Sequence, residues 1–425
     1  MHPTEPSRPT EDTRPTDRRA PDDGARLRIA FVYDALVPYT SGGAERRFHE
    51  LATRLAIRHE VHYVTWRFWG DCPTMVRDGI TFHGVGGPRQ FYGSDGKRTI
   101  REAAEFALRL PATLARLKVD VLDVSATPYL PLYTAWAVSR ATRTPLVATW
   151  HEFWGAHWAT YLPDRPVVAR LARLSEAAAR PLSDRRVAVS AFTARRMSDP
   201  GRRRDSIDVV GNGVDLVAMA DARPDPESSD ILFVGRLIDE KQVDLLVRAV
   251  AALHVRAAGL RCVIAGDGPE RDRLVSLAAD LGVGDQVVFV GRVQDGRIPE
   301  LMRSSRILVL PSAREGYGIT VVEGGACGLV PVVTRSPLSA APDLVTDGRD
   351  GLICDPTVDG LAGALGSLLA DPERLARMAL AARQSADERG WDSRAMDMER
   401  IYREVALRRR PALAGPAALA LDGAR

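Results

Sequence analysis

Two glutamates that stand eight residues apart in a glycine-containing stretch are the side chains of this sequence best placed to bind a ligand. Residues 314–323 read R-E-G-Y-G-I-T-V-V-E and include Glu315 and Glu323. Glu315 lies in a predicted loop, and Glu323 lies on a helix that is predicted to begin near Gly318. A carboxylate on that helix can accept hydrogen bonds from a ribose diol, and a carboxylate in that loop can hold the hydroxyls of a sugar.

Glycines on either side of Tyr317 give the same stretch the means to bind a phosphate. Gly316 and Gly318 allow backbone N–H groups to approach an anion closely, and the start of a helix adds free donors and a favourable dipole. An isolated pair of glutamates is more often a pair of solvated surface charges, by roughly four to one. The surrounding glycines reverse that preference, so the stretch is a candidate site for a phosphorylated sugar.

Two basic residues follow the first predicted strand of the second half of the chain. Residues 235–241 read G-R-L-I-D-E-K, and Arg236 and Lys241 can converge on one pyrophosphate. A diphosphate leaving group gains negative charge as its bond to a sugar breaks, and two fixed cations stabilise that charge. Taken alone, the pair is better explained as surface charges at the start of a helix.

The first half of the chain offers a glycine turn and a histidine. Gly42 and Gly43 separate the first predicted strand from the first predicted helix, so their backbone can pass close to a bound ligand, although many such turns contain glycine. His151 lies in the segment W-H-E-F-W-G-A-H-W at the end of a predicted strand. It can contact a transferred sugar or position an acceptor. The aromatic residues suit a sugar or lipid platform, and equally core packing.

Strand-like and helix-like segments alternate along nearly the whole chain. Continuous apolar strands separated by helices indicate parallel sheets that are covered on both faces. The pattern breaks at the polar residues 220–230 and then restarts, so we expect two doubly wound α/β domains that face each other across a cleft at the carboxyl ends of their strands. The predicted strands are residues 27–34, 61–66, 119–125, 145–150, 186–190, 231–236, 261–266, 286–291, 307–311 and 331–334.

Composition limits the class of protein and its setting. A length of 425 residues suggests two or three domains, and a formal net charge of +3 argues against a dedicated nucleic-acid binder. Four cysteines without a C-x-x-C pair fit a reducing cytoplasm. The apolar runs are shorter than a membrane span. Residues 1–26 lack the apolar stretch of a secretory signal and are predicted to be a disordered tail, and residues 409–425 a loose one.

Taken together, these segments resemble the retaining glycosyltransferases of family 4, which have the GT-B fold. The resemblance spans nearly all of residues 27–408 and depends on the order of the motifs, since each is weak alone. The main matches are Glu315 with Glu323 after seven intervening residues, and Arg236 with Lys241 five positions later. Further matches are Gly42-Gly43-Ala44-Glu45, Asn212-Gly213-Val214-Asp215 and Gly266-Asp267-Gly268-Pro269.

The resemblance implies an architecture of two Rossmann-like domains with doubly wound parallel sheets. Residues 27–210 would form the acceptor domain, and residues 211–390 the domain that binds the donor. A last helix, residues 391–408, would cross back to pack on the first domain.

The resemblance also implies roles for the candidate residues. Arg236 and Lys241 would hold the diphosphate, Glu323 the ribose and Glu315 the donor sugar. His151 would lie near the reacting carbon, and the glycine turn would close over the donor. The candidate catalytic residues are therefore His151, Glu315, Arg236 and Lys241, and the candidate donor-binding residues are Gly42, Gly43, Arg236, Lys241, Gly316, Tyr317, Gly318, Ile319 and Glu323.

The implied reaction moves a hexose from a UDP- or GDP-linked sugar to a hydroxyl of a glycan, a lipid-linked sugar or a small metabolite. The family retains the anomeric configuration, through front-face attack and an oxocarbenium-like transition state. The scheme requires neither a cofactor nor a metal ion. A cytoplasmic location is expected. Basic runs at Arg195–Arg196 and residues 202–204 also suit peripheral contact with the inner face of a membrane, although a solvated surface is preferred by roughly two to one.

Other classes of protein remain open at this stage. A nucleotide-sugar-binding protein without transfer activity would keep Glu323 and Arg236, but His151 and the glycine turn argue against it. An epimerase or phosphorylase of the same fold is not excluded by fold alone, and product analysis separates a free sugar from a glycoside. An NAD-dependent oxidoreductase would need a complete G-x-G-x-x-G after a strand, and none of the strand-to-helix turns has one.

Overall fold

The computed structural model describes residues 25–40, 42–91, 98–198, 206–254 and 259–409. Most of both predicted tails, Ser41 and the basic run at residues 202–204 lie outside this range. Within it, strands and helices alternate as the apolar periodicity predicts, and they form two large sheets.

The first sheet has eight strands in the order β3-β4-β2-β1-β5-β6-β7-β8. All neighbouring strands are parallel except β3 and β4, which pair antiparallel at one edge. Every residue of the central strands β5 and β6 is buried, because helices cover both faces. The strands are β1 (Arg28–Val32), β2 (Glu60–Thr65), β3 (Thr74–Arg77), β4 (Ile80–Gly84), β5 (Val121–Ser125), β6 (Leu146–Trp150), β7 (Arg185–Ala188) and β8 (Ile207–Val209).

The second sheet has six parallel strands in the order β11-β10-β9-β12-β14-β16. Its chain order reverses between β9 and β12, which is the place where doubly wound sheets bind ligands. A separate two-stranded parallel sheet joins β13 to β15. The strands are β9 (Ser229–Val234), β10 (Cys262–Ala265), β11 (Val287–Gly291), β12 (Ser305–Leu310), β13 (Arg314–Glu315), β14 (Val330–Thr334), β15 (Leu338–Ser339) and β16 (Leu352–Cys354).

Helices connect successive strands and bury their apolar faces on the sheets. Short 3₁₀ helices span Gly155–His157, Asp239–Lys241, Asp295–Arg297 and Ala341–Leu344. None of the described helices is both long and apolar enough to cross a bilayer. The α-helices are α1 (Gly43–Ala56), α2 (Ile100–Arg116), α3 (Tyr129–Thr142), α4 (Trp158–Tyr161), α5 (Pro166–Ala179), α6 (Ala191–Met197), α7 (Leu216–Asp221), α8 (Val243–His254), α9 (Arg271–Asp280), α10 (Ile298–Arg303), α11 (Ile319–Ala326), α12 (Val358–Leu369), α13 (Pro372–Asp387) and α14 (Trp391–Arg409).

Helix α14 belongs to the core of the first sheet although it ends the described chain. Trp391, Met398, Ile401 and Tyr402 are 0–1% exposed and pack with residues of β1, β2 and α1. The Tyr402 hydroxyl donates to the buried carboxylate of Asp123 on β5. The first core is therefore completed by the last of the described elements.

Several short elements differ from the predicted pattern. The antiparallel β3–β4 hairpin departs from a purely parallel sheet, and β8 and β16 have only three residues each. The predicted linker, residues 220–230, overlaps the end of α7 and the start of β9. The predicted loop before Gly318 contains strand β13, because Arg314 and Glu315 pair with Leu338–Ser339.

Candidate active site

Glu315 and Lys241 form an ion pair where the strand order of the second sheet reverses. Lys241 ends the 3₁₀ helix that follows β9, and Glu315 ends β13, which follows β12. Because β9 and β12 are neighbours, their carboxyl ends bring the two side chains together. Lys241 Nζ donates to Glu315 Oε1, and the two side chains are 18% and 13% exposed. The structure thus joins two of the four candidate catalytic residues.

Arg236 lies in the turn that follows β9, and its side chain is exposed. This turn packs against the turn that follows β10, where Leu237 N donates to Asp267 O at 2.9 Å. A Cβ on Gly268, whose φ is +158°, would overlap with the carbonyl oxygen of Leu237. The Gly-Asp-Gly segment therefore serves to hold the arginine-bearing turn in place.

Glu323 is 3% exposed on α11 and pairs with an arginine of the first domain. The partner is Arg46, in the first turn of α1, and its Nη1 donates to Glu323 Oε1. Glu323, the residue that is predicted to bind the ribose, is thus held in an ion pair that crosses the cleft. The sequence carried a signal for Arg46, since it directly follows the Gly42-Gly43-Ala44-Glu45 segment, but Arg46 was not among the predicted residues.

His151 lies at the carboxyl end of β6 between two aromatic rings of the first domain. Its ring centroid is 6.4 Å from that of Tyr33 and 5.7 Å from that of Phe48. Burial, aided by the positive charge of Arg47, lowers the pKa of His151 from 6.5 to about 3. Its Nε2 atom is buried without a hydrogen-bond partner among the described residues. The imidazole is therefore neutral near pH 7 and keeps one ring nitrogen available.

Glu152 and Arg314 form a second ion pair across the cleft beside Glu315. Arg314 Nη1 lies 3.2 Å from Glu152 Oε2, and its guanidinium lies 3.9 Å from the centroid of the Trp154 ring. Burial raises the pKa of Glu152, and the positive charges of Arg314, Lys241 and Arg236 oppose that rise. Sequence reasoning did not identify Arg314, because nothing in the sequence shows that it faces the other domain.

Gly316 is required by the close approach of the two domains. A Cβ at this position would overlap with the backbone carbonyl of His151. The carbonyl oxygen of Gly316 accepts a hydrogen bond from Ser190 Oγ at 2.8 Å. The absence of a side chain here therefore admits the first domain, and the role of Gly316 in binding a phosphate stays a prediction.

The remaining candidate residues fall into two groups. Gly42 and Gly43 are exposed at the start of α1, and a Cβ on Gly43 would meet nothing within 4 Å. Tyr317 does not reach into the cleft, because its side chain is 8% exposed and donates to Asn212 O at 2.8 Å. Gly318 caps α11 with φ of +94°, a conformation that favours glycine, and Ile319 packs half-buried at the start of that helix.

A buried cluster of charges follows β1 on the first-domain side. Arg98 Nη2 lies 2.5 Å from Asp34 Oδ2 and 3.4 Å from Glu102 Oε2. Trp66 Nε1 donates to Glu102 at 2.7 Å. Burial and the charge of Asp34 raise the pKa of Glu102 to about 7. The first domain therefore holds a buried group of interacting charges behind the end of β1, which the sequence did not reveal.

The charged groups of the cleft can stabilise a negative leaving group and bind hydroxyls. Among the described residues, no group of three or more His, Cys, Asp and Glu side chains could hold a metal ion. The four cysteines are free thiols.

Two family models together match most of the chain. The model described as Glycosyltransferase Family 4 matches residues 41–217, and the model described as Glycosyl transferases group 1 matches residues 218–385. The border between the two matches follows the end of the first sheet.

Curated relatives include two bacterial enzymes. A D-inositol 3-phosphate glycosyltransferase of Nocardia farcinica is 32% identical over 327 residues, which cover 72% of this chain and 71% of that protein. A GDP-mannose-dependent alpha-(1-6)-phosphatidylinositol monomannoside mannosyltransferase of Mycolicibacterium smegmatis is 32% identical over 228 residues, which cover 48% of this chain and 58% of that protein. The match thus spans little more than half the length of the mannosyltransferase.

Solved structures share the fold at low sequence identity. A sucrose-phosphate synthase of Thermosynechococcus elongatus has a TM-score of 0.76 and 18% identity, and the match covers 90% of this chain and 100% of that one. HepE of Anabaena in complex with UDP-glucose has a TM-score of 0.68 and 19% identity, with 89% and 100% covered. The predicted GT-B fold is confirmed.

Proposed function

This chain belongs to glycosyltransferase family 4, and from that premise we propose that it transfers a hexose from a UDP- or GDP-linked sugar to an acceptor hydroxyl, with retention of configuration and without a metal ion. The acceptor hydroxyl belongs to a glycan, a lipid-linked sugar or a small metabolite. The free thiols of all four cysteines support a reducing, cytoplasmic setting.

One observation carries the proposal. The two cations and two carboxylates that are predicted to bind the donor lie on elements that follow β9 and β12, and one of the carboxylates, Glu315, pairs with Lys241. A departing nucleoside diphosphate gains negative charge, so Arg236 and Lys241 would stabilise it as the bond to the sugar breaks. Glu323 would accept from the ribose and Glu315 from the sugar.

His151 would act as a neutral partner of the sugar. Its low pKa means that it neither protonates the leaving phosphate nor brings a positive charge to an oxocarbenium-like centre. The unpartnered Nε2 atom supports a role in binding a hydroxyl of the sugar. Rate enhancement would then come from charge stabilisation and from the position of the acceptor relative to the donor.

When the donor binds, Arg46 would either release the carboxylate of Glu323 or share it with the ribose. A ribose diol needs the oxygens of Glu323 that Arg46 contacts in this structure. The ion pair crosses the cleft, so its rearrangement would couple donor binding to the relative position of the two domains.

The experiment is calorimetric titration with UDP-sugars and GDP-sugars of the wild type, Glu323→Ala and Glu373→Ala. The control residue, Glu373, is a carboxylate of the second domain whose side chain is 90% exposed on α13. We expect micromolar-range binding to one base class, at least tenfold weaker in Glu323→Ala (about 1.4 kcal/mol) and unchanged in Glu373→Ala.

Two results would count against the proposal. If no sugar nucleotide binds the wild type, or if Glu323→Ala binds as well as the wild type, the donor site is misassigned. Once the base is known, the anomeric configuration of the product, measured by NMR with EDTA present, tests retention and metal independence together.

A further inference from the structure

Helix α5 exposes an apolar stripe on its outer face. Val167, Leu171 and Leu174 are 70%, 60% and 58% exposed, and their spacing places them on one side of the helix. The opposite side is buried through Ala169, Glu176 and Ala179 and packs on the first domain. Large apolar residues exposed singly are common on protein surfaces, but three in a row on one helix face mark an interaction surface.

The exposed charged residues of the segment from Asp164 to Arg173 are three arginines and one aspartate. Arg165, Arg170 and Arg173 are exposed beside the apolar residues. None of the three forms an ion pair with a carboxylate in the described part of the chain. Glu176, the one acidic residue of α5, is turned inward, where it accepts from the Tyr129 hydroxyl at 2.6 Å.

From this combination we propose that α5 docks the protein on the surface of a bilayer that contains anionic lipid. An apolar stripe flanked by arginines is the pattern of a helix that lies in the plane of the interface, with its apolar side chains among the acyl chains and its cations near the headgroups. The anionic leaflet supplies the charge complementarity, because each arginine near it is attracted independently of lipid identity.

A second copy of this chain fits the surface less well. A symmetric dimer would place the same patch on both sides of the contact, so arginines would face arginines. A stable interface buries about 800 Å² on each partner, which a stripe of three side chains does not reach. These two arguments favour the bilayer as the occupant.

Helix α5 is connected to the candidate active site through the segment that precedes it. Two backbone N–H groups of the segment before α5, those of Trp154 and Gly155, donate to Glu176 at 2.7 and 2.6 Å. The ring of Trp154 also lies against Arg314, the neighbour of Glu315. A docked α5 would hold the first-domain side of the cleft near the membrane. This placement rests on the proposed function for its meaning, and with that function it favours an acceptor carried by a lipid.

The test is flotation of the full-length protein with vesicles. The probes are phosphatidylcholine vesicles, and vesicles in which about a third of the lipid is phosphatidylglycerol. The test variants are Leu171→Ser with Leu174→Ser, and Arg170→Gln with Arg173→Gln. The matched control is Leu380→Ser with Arg377→Gln and Arg383→Gln on α13, where Leu380 is 61% exposed.

We expect wild type and control to bind the anionic vesicles only. The double arginine variant should bind roughly thirtyfold more weakly, since each arginine contributes about 1 kcal/mol, and the double leucine variant should lose binding as well. Circular dichroism and thermal melting show whether the variants are folded, and calorimetric donor binding shows whether the proposed active site is intact.

Three outcomes would overturn the inference: no binding of the wild type to anionic vesicles, equal binding by folded α5 variants, or a wild-type dimer that the α5 substitutions convert to monomer. None of these depends on donor binding, so a failure of the docking surface and a failure of the proposed function are distinguishable.

Discussion

His151 shows how strongly a single environment determines what a residue can do. Tyr33 and Phe48 surround the ring, Arg47 lies close enough to oppose its protonation, and its pKa falls to about 3. The sequence predicted this histidine at the end of a strand, and it follows β6, but its charge state depends on neighbours that follow β1 or lie on α1. The same is true of Arg46 and Arg314, because their partners lie in the other domain.

The low pKa of His151 links stability to pH. In the unfolded chain His151 has a pKa near 6.5, so as pH falls below that value the unfolded state takes up a proton that the folded state does not. We expect the stability of wild type relative to His151→Gln to fall by about 1–2 kcal/mol between pH 8 and pH 5. Urea unfolding at the two pH values measures it, and a constant difference would contradict the assigned protonation.

Short elements around the cleft position more of the candidate site residues than the long helices do. Strand β13 has two residues, yet it positions Glu315 toward Lys241 and Arg314 toward Glu152. The sequence predicted the long apolar strands and the start of α11 near Gly318, because burial and glycine leave clear patterns. It did not predict β13 or the β3–β4 hairpin, because two to five half-buried residues have no periodicity to detect.

Arg314 is expected to act as a positioning residue of strand β13. Arg314→Ala removes the contacts with Glu152 and Trp154 that hold Glu315 against the first domain. We expect kcat/KM to fall about tenfold, with Arg314→Lys in between, because lysine does not reproduce a stacked guanidinium. The binding of free nucleoside diphosphate should change little, since Glu323 and Arg236 remain.

A second arginine that pairs across the two domains serves as the control for this experiment. Arg195 lies 2.7 Å from Asp343, and both side chains are well exposed, at 61% and 35%. An exposed pair contributes little, so Arg195→Ala should keep wild-type kinetics. Equal losses in Arg195→Ala and Arg314→Ala would show that any contact between the domains matters, and that Arg314 has no special role.

At the scale of the whole molecule, the two sheets have separate cores, and a smaller apolar cluster that includes Val189 and Tyr317 joins the two domains. Each sheet reverses its strand order beside β1 or β9, so the ligand-binding edges of both face the same space. The alternation of strands and helices predicted two α/β domains that face each other across a cleft, whereas the return of the helix at residues 391–408 was predicted only by the family resemblance. Side-chain pairing between the domains could not be predicted, since it depends on how the sheets are oriented.

Removal of the last helix should destabilise the first domain selectively. Ending the chain after residue 390 exposes the apolar neighbours of Trp391, Met398 and Tyr402 in the first core. We expect this truncation to lose the cooperative melting of the first domain, because several large buried side chains are removed at once. A normal transition in the truncated protein would refute the role of α14.

The return of α14 also sets the order of events during synthesis. A ribosome releases the first sheet, residues 28–209, well before it makes the residues that complete the core beneath that sheet. The second sheet lies wholly between these two parts of the chain and has its own core, so it can fold as a unit while the first waits. The nascent protein therefore carries an open apolar surface on its first domain until α14 emerges, and chaperones that bind apolar surface have that interval in which to act.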